Sequence, residues 1–239
     1  TTLTSVGGAI TRETMTRELA FLRPRSIAEA CALLAEHGEE AKVVAGSTAL
    51  TIMLRNRLID PAVLVSIGAI PGLAERTVDG GLLRLGALAT HRQVERDPLV
   101  KGVLPVVAET FSKVANVRVR NAATVGGVMA EADYASDPPA VFVGLDAVVV
   151  AEGPSGVRRI PATEFFLAFY ETALAADEIV TAVEVPLPAA GTGAVYEKFV
   201  TRSSEDRPCV GVFAAARRDG AVFRAIRVAV GAAAETPRR

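Results

Sequence analysis

Two glycine turns carry most of the chemical potential of this sequence of 239 residues. In Val44-Ala45-Gly46-Ser47-Thr48-Ala49-Leu50 an apolar run ends in small residues before a helix-forming run begins. Backbone N–H groups at such a junction converge on one point, and the hydroxyls of Ser47 and Thr48 add to a donor set suited to a phosphate. The same residues also read as a plain strand-to-helix connection with Ser47 as N-cap. Thr124-Val125-Gly126-Gly127 repeats the ingredients, a hydroxyl and two residues without side chains that let backbone approach a pyrophosphate closely. Its plainer reading is a tight turn or a bulge. Together the two turns can grip the pyrophosphate of a dinucleotide from two sides. Asp133 and Asp137 follow, and the Asp137 carboxylate can accept hydrogen bonds from ribose or ribityl hydroxyls. Each also reads as a loop acid, and Asp137 as a helix cap.

Other chemistry is poorly provided for. Cys31 and Cys209 lie far apart with no CxxC pair, and only His37 and His91 are available to help them, so metal-ligand spacing is missing. The sequence has no GxxxxGK[ST], GxSxG, HExxH or helix-opening GxGxxG. No catalytic side chain and no metal ligand is predicted, and a chain of this kind leaves its chemistry to a cofactor. The 26 basic and 27 acidic residues are spread evenly, leaving no positive stripe for nucleic acid. Half the residues are hydrophobic, enough for a sizeable core. The most apolar stretch, 138–151, is interrupted by Asp146 and is too short for a membrane span. Residues 1–16 lack the pattern of a secretory signal, so the expectation is a cytoplasmic protein with a loose N-terminal extension over 1–18.

The elements that must position these residues follow from periodicity and punctuation. Ser26 and Glu29 form a capping box ahead of Ile27, Ala30, Cys31 and Leu34, and Gly38 stops that helix. Residues 42–45 read as a strand, 49–57 as a helix, and 63–67 and 82–87 as strands joined by a connection. Thr90 and Gln93 open a short helix, and 104–115 continues as helix. Residues 116–127 read as turns and 131–139 as a loop. A hairpin follows over 147–150 and 157–160, then a short element at 165–170 and a strand over 179–185. The Pro, Ala and Gly run at 188–193 marks a boundary. Beyond it 194–201, 210–217 and 221–230 read as a meander with a hairpin turn at Asp219-Gly220. The fold class is α+β.

At these residues the chain resembles the FAD-binding middle subunits of molybdenum hydroxylases, the carbon monoxide dehydrogenase and xanthine dehydrogenase type. The resemblance rests on Ala45 through Leu50, on Val119-Arg120-Asn121-Ala122-Ala123 running into Thr124 through Gly127, on Ala132-Asp133-Tyr134-Ala135-Ser136-Asp137-Pro138-Pro139-Ala140, and on Tyr196-Glu197-Lys198-Phe199, all in family order. It implies a two-lobed FAD-binding domain of the PCMH or carbon monoxide dehydrogenase flavoprotein type over 19–188, with lobes at about 19–61 and 62–188. A small C-terminal antiparallel sheet domain over 189–239, incomplete relative to the family, would follow. By the same resemblance the two turns wrap the FAD pyrophosphate and Asp137 meets its sugar or ribityl hydroxyls. Ile179 and Val180 give apolar contact, and Tyr196 and Lys198 border the isoalloxazine.

The implied function is electron transfer from iron–sulfur clusters through FAD to NAD, a quinone or oxygen. Molybdopterin would sit on a large partner subunit and [2Fe-2S] clusters on a small one, in a dimer of heterotrimers. The alternatives are a free-standing FAD oxidoreductase and a cofactor-free scaffold subunit. The sequence departs from the family at Ser47, where a second glycine is common, at Val128, where Asn is common, and at Tyr134, where proline is common.

Overall fold

The computed structural model describes residues 19–239, so the expected N-terminal extension lies outside the described residues. The chain opens with β1 (Ala20–Leu22) and α1 (Ile27–His37). Ser26 caps α1 by accepting the N–H of Glu29 at 3.1 Å, but the reciprocal half of the capping box shifts by one residue. Glu29 Oε2 accepts the N–H of Arg25, at 2.8 Å. Next come β2 (Ala41–Val44), α2 (Thr48–Arg55) and β3 (Val63–Ser66). β3 lies between β1 and β2 with both pairings parallel. This corrects the lobe boundary expected at 61/62. Val63 and Val65 bury with Ala30, Cys31 and Leu34 of α1, and the same cluster continues through Ile67, Ile70 and Leu73 before the chain leaves the first lobe.

The second lobe begins with the hairpin of β4 (Arg76–Asp79) and β5 (Leu82–Gly86). β4 was expected to be connection; it is a polar edge strand, without the apolar alternation that marks a half-buried one. Helices α3 (His91–Arg96), α4 (Pro98–Val103) and α5 (Pro105–Ser112) follow. Thr90 and Gln93 complete both halves of the capping box at α3. The helix expected over 104–115 is shorter, and a separate helix precedes it. Pro98 and Pro105 each sit in a first helical turn, where a missing N–H costs nothing. Residues read as turns and loop contain three more helices, α6 (Val117–Ala122), α7 (Val125–Glu131) and α8 (Asp137–Gly144).

A five-stranded sheet, order β4-β5-β10-β6-β7, takes in β6 (Val148–Gly153), β7 (Gly156–Pro161) and β10 (Ile179–Pro186). Between β7 and β10 lie the short α9 (Ala162–Phe165) and a small hairpin of β8 (Phe166–Ala168) and β9 (Glu171–Thr172). β10 is buried from Ile179 to Val185, with α7 packed against it. The first lobe docks through α1 on β6, where the Cys31 thiol reaches the Glu152 carbonyl at 3.3 Å.

The meander β11 (Thr192–Phe199), β12 (Val210–Asp219) and β13 (Val222–Gly231) packs on α8 and α5. Tyr196, Phe213 and Ala229 of the meander share one core with Phe111, Phe142 and Leu85 of the second lobe. α8 is buried along its whole length, between the helices of the second lobe and the meander. Among the described residues no helix is long and apolar enough to cross a membrane, and no group of three or more His, Cys, Asp or Glu could hold a metal.

Candidate cofactor site

A cavity of about 620 Å³ opens between the lobes, within the size range of sites that bury a cofactor or drug-sized ligand. Ala45 through Leu50 form one wall, Thr124, Gly126 and Gly127 another, and Asp137, Ile179 and Val180 lie on the same surface. Val44 and Val125, also expected at the site, do not line the cavity; both are buried in the lobes.

The two turns do different work. At the first, β2 ends and α2 begins without a side-chain cap, and the N–H groups of Thr48, Ala49 and Leu50 meet no acceptor among the described residues. Three unclaimed donors at the positive end of a helix dipole, facing a cavity, form an anion seat. Ser47 stands at the N-cap position with φ 58°, and its hydroxyl pairs with that of Thr51 at 3.1 Å instead of capping. That left-handed backbone explains why glycine suits this position, since a Cβ there costs about 1–2 kcal/mol. Ser47→Gly is therefore expected to stabilise the chain by about 0.5–1 kcal/mol, after the added freedom of the unfolded chain is subtracted. The denaturant midpoint would report it; an unchanged or lower midpoint would contradict the strain.

At the second turn the donors are already taken. Val125 N–H donates to Ala89 O at 3.0 Å, Gly126 N–H to Ala87 O at 2.8 Å, and Gly127 N–H to the capping hydroxyl of Thr124 at 3.1 Å. The expected grip from two sides is thus one-sided in its donors. The glycines serve close approach: a Cβ on Gly126 would lie 2.6 Å from Ala87 Cβ, and one on Gly127 2.8 Å from Thr124 Oγ1. Across the junction, a Cβ on Gly46 would lie 1.9 Å from Ala122 O, so the first turn rests directly on the backbone leading into the second.

Beneath the second turn lies His91, a wall residue that the sequence does not place at the cofactor site. Its Nε2 is 3.3 Å from Thr124 O and its ring meets Phe111 edge-on at 4.8 Å. Nδ1 has no partner. Burial pushes the imidazole down to about 4, so it is neutral, and the Thr124 carbonyl assigns the proton to Nε2. The only sequence signal for it is its place after the Thr90 cap. Because the folded value lies below the unfolded one, protonation favours the unfolded chain. Stability should fall by up to about 1.4 kcal/mol per unit as pH drops from about 6.5 toward 4. Denaturant midpoints across that range, compared with those of His91→Phe, would show the slope shrink by this amount; equal slopes would refute it.

Asp137 is the first residue of α8, and its carboxylate is held from behind. Oδ1 accepts from the Tyr196 hydroxyl at 2.8 Å and Oδ2 pairs with Lys198 Nζ at 3.2 Å. Lys198 Nζ also donates to Lys113 O at 2.7 Å, while Lys113 Nζ donates to Tyr196 O. Side-chain exposure is 6% for Lys198 and 4% for Asp137. Burial pushes the Asp137 carboxyl above its ordinary value, and Lys198 and Tyr196 act against that shift. Tyr196 and Lys198 themselves do not line the main cavity; they stand behind Asp137, and Lys198 borders a smaller cavity of about 390 Å³. Asp133 is also off the wall. It pairs with Arg207, accepts from Tyr170 Oη at 3.4 Å and caps the Ala135 N–H at 3.1 Å. Unforeseen wall residues include Met53, Val119, Glu131, Tyr170 and Arg207, which only the tertiary fold brings to the cavity.

Residues 15–188 match the family described as FAD binding domain in molybdopterin dehydrogenase. The carbon monoxide dehydrogenase medium chain of Hydrogenophaga pseudoflava is 36% identical over 216 residues, which are 90% of this chain and 75% of that one. The structure of carbon monoxide dehydrogenase from the same organism, lacking the Mo-pyranopterin moiety, superposes with a TM-score of 0.90 at 36% identity, covering 93% of this chain and 77% of that one. Quinoline 2-oxidoreductase from Pseudomonas putida 86 gives 0.87 at 31% identity, covering 92% and 75%. With the family match, the shared fold and an anion seat between the lobes, the chain is a flavoprotein that binds FAD and belongs to the family of medium subunits of molybdenum hydroxylases.

Proposed function

We propose that this chain takes electrons from iron–sulfur clusters on a small partner subunit and delivers them to NAD, a quinone or oxygen. In this reading a large molybdopterin-binding subunit oxidises the substrate, and two such heterotrimers pair. The observation that carries it is the uncapped first turn of α2, whose residues line the inter-lobe cavity together with Asp137. FAD, when bound, supplies the ability to accept electrons singly and release them in pairs.

The chain's own residues bind and orient. Thr48, Ala49 and Leu50 offer N–H groups to the pyrophosphate, with Gly46 and Ser47 shaping the approach. Gly126, Gly127 and Thr124 form a bare surface beside it. The Asp137 carboxylate accepts from sugar or ribityl hydroxyls, and Ile179 and Val180 give an apolar face. Tyr196 and Lys198 act through Asp137, fixing its rotamer and balancing its charge. The FAD-binding domain would run over 19–188, with the meander over 189–239 as its companion. The free thiols of Cys31 and Cys209 suit a reducing compartment such as the cytoplasm.

Acid release of flavin from the protein, purified with whatever accompanies it, tests this reading. FAD at about one per chain alongside molybdenum and iron–sulfur subunits is the expected result. FAD without partners would favour a free-standing oxidoreductase. An intact assembly without flavin would leave only a scaffold.

A further inference from the structure

Glu131 ends α7, four residues after Gly127 and therefore on the same face of the helix, and both residues line the inter-lobe cavity. Its carboxyl makes no hydrogen bond or ion pair among the described residues. The nearest charges are Asp133 and Arg207, and Arg207 is paired with Asp133. Tyr170, from the turn between β8 and β9, lines the same wall but donates its hydroxyl to Asp133 Oδ1. Glu205 and Asp206, from the segment before β12, add two more carboxyls to the lining. Glu131 is thus a partly buried acid with like charges beside it and no partner of its own. It sits one helical turn from Gly127, roughly 5–6 Å between Cβ positions at such spacing.

We propose that FAD binds this chain together with one proton taken from solvent and held on the Glu131 carboxyl, which enters the complex as a neutral hydrogen-bond donor. This rests on the reading of the cavity as the FAD site. A carboxylate at Glu131 would repel a dianionic pyrophosphate bound in the same cavity, whereas the acid form removes that repulsion and supplies a donor. The proton is readily available. Burial and the neighbouring Asp133 carboxylate push Glu131 up to about 7, with Arg207 acting against them. Of the other wall residues, His91 is already neutral above pH 6, Arg158 holds the Glu178 carboxyl below its ordinary value, and Asp137, raised by burial against Lys198 and Tyr196, is unchanged in Glu131→Gln, so that variant isolates the titration of Glu131.

The sign follows. Below about pH 7 the free protein already holds the proton and FAD affinity is level. Above it, affinity falls by up to tenfold per pH unit until the carboxyl also ionises in the complex. The full chain, purified with its companions, stripped of flavin and titrated with FAD between pH 6 and 9, would show this as a rise in Kd of roughly tenfold or more by pH 8.5. Calorimetry near pH 8 in two buffers of different ionisation enthalpy should show uptake approaching one proton. Glu131→Gln keeps the shape and the donor; it should bind FAD at pH 8.5 as the parent does at pH 6, with no proton uptake. Measurable FAD binding with a flat pH profile, or a Glu131→Gln chain that keeps the parent's slope, would overturn the proposal while leaving the FAD reading intact. No FAD binding at any pH would overturn both.

Discussion

Gly46→Ala is expected to cost the chain both its flavin and about 3 kcal/mol of stability, the upper end of what overpacking usually costs. The added Cβ would lie 1.9 Å from Ala122 O, 2.7 Å from Ala122 C and 3.1 Å from Ala123 Cα. All three are backbone atoms, so no rotamer change relieves the clash and the two turns must move apart. That displacement acts on the α2 N-terminus, where three N–H groups depend on position to act as one seat. Gly102→Ala is the control. Gly102 lies in α4 with nothing within 4 Å of its would-be Cβ, so alanine there should be neutral or mildly stabilising. Thermal midpoints and FAD per chain would separate the two variants. A Gly46→Ala protein with parental flavin content would show that the contact between the turns does not hold the site.

Asp137→Ala should be comparably damaging, at about 3–5 kcal/mol, the cost of removing one partner from a buried ion pair. The Lys198 ammonium, 6% exposed, would keep only the Lys113 carbonyl, and the Tyr196 hydroxyl would lose its acceptor. Asp137→Asn keeps an acceptor for Tyr196 while removing the charge opposite Lys198, so its loss should be intermediate. Combining Asp137→Asn with Lys198→Met should restore part of the stability but none of the flavin affinity, because the cavity still lacks its carboxylate. Denaturant unfolding of Asp137→Asn, Lys198→Met and the double variant gives the coupling energy directly. Additive losses would mean that Lys198 and Asp137 do not act as a pair.

Local signals read true from the sequence where a few adjacent residues decide the outcome. Thr90 and Gln93 closed their capping box, and Gly220 made the turn between β12 and β13 with φ 60°. β4 was invisible because an exposed edge strand needs no apolar alternation. α7 was hidden because Gly126 and Gly127 look like a turn; Thr124 caps them into a helix whose packing demands the missing side chains. For the site, residue type pointed to both turns and to Asp137. It could not say which N–H groups are free, since the acceptors at Ala87 and Ala89 arrive from the end of β5, nearly forty residues earlier. Nor could it place Tyr196 and Lys198 behind Asp137, because that depends on how the meander packs on α8 and α5.

The contact of Gly46 with Ala122 has a consequence for modularity. The free N–H groups of α2 belong to the first lobe, but the backbone against which Gly46 rests belongs to the second, so the first lobe alone would keep the donors without the surface that sets their position, and neither lobe can be exchanged between proteins without its mate. Cut between the lobes and coexpressed, the two fragments would form a complementation pair in which yellow colour returns only on reassociation, making the cofactor a visible reporter of the junction.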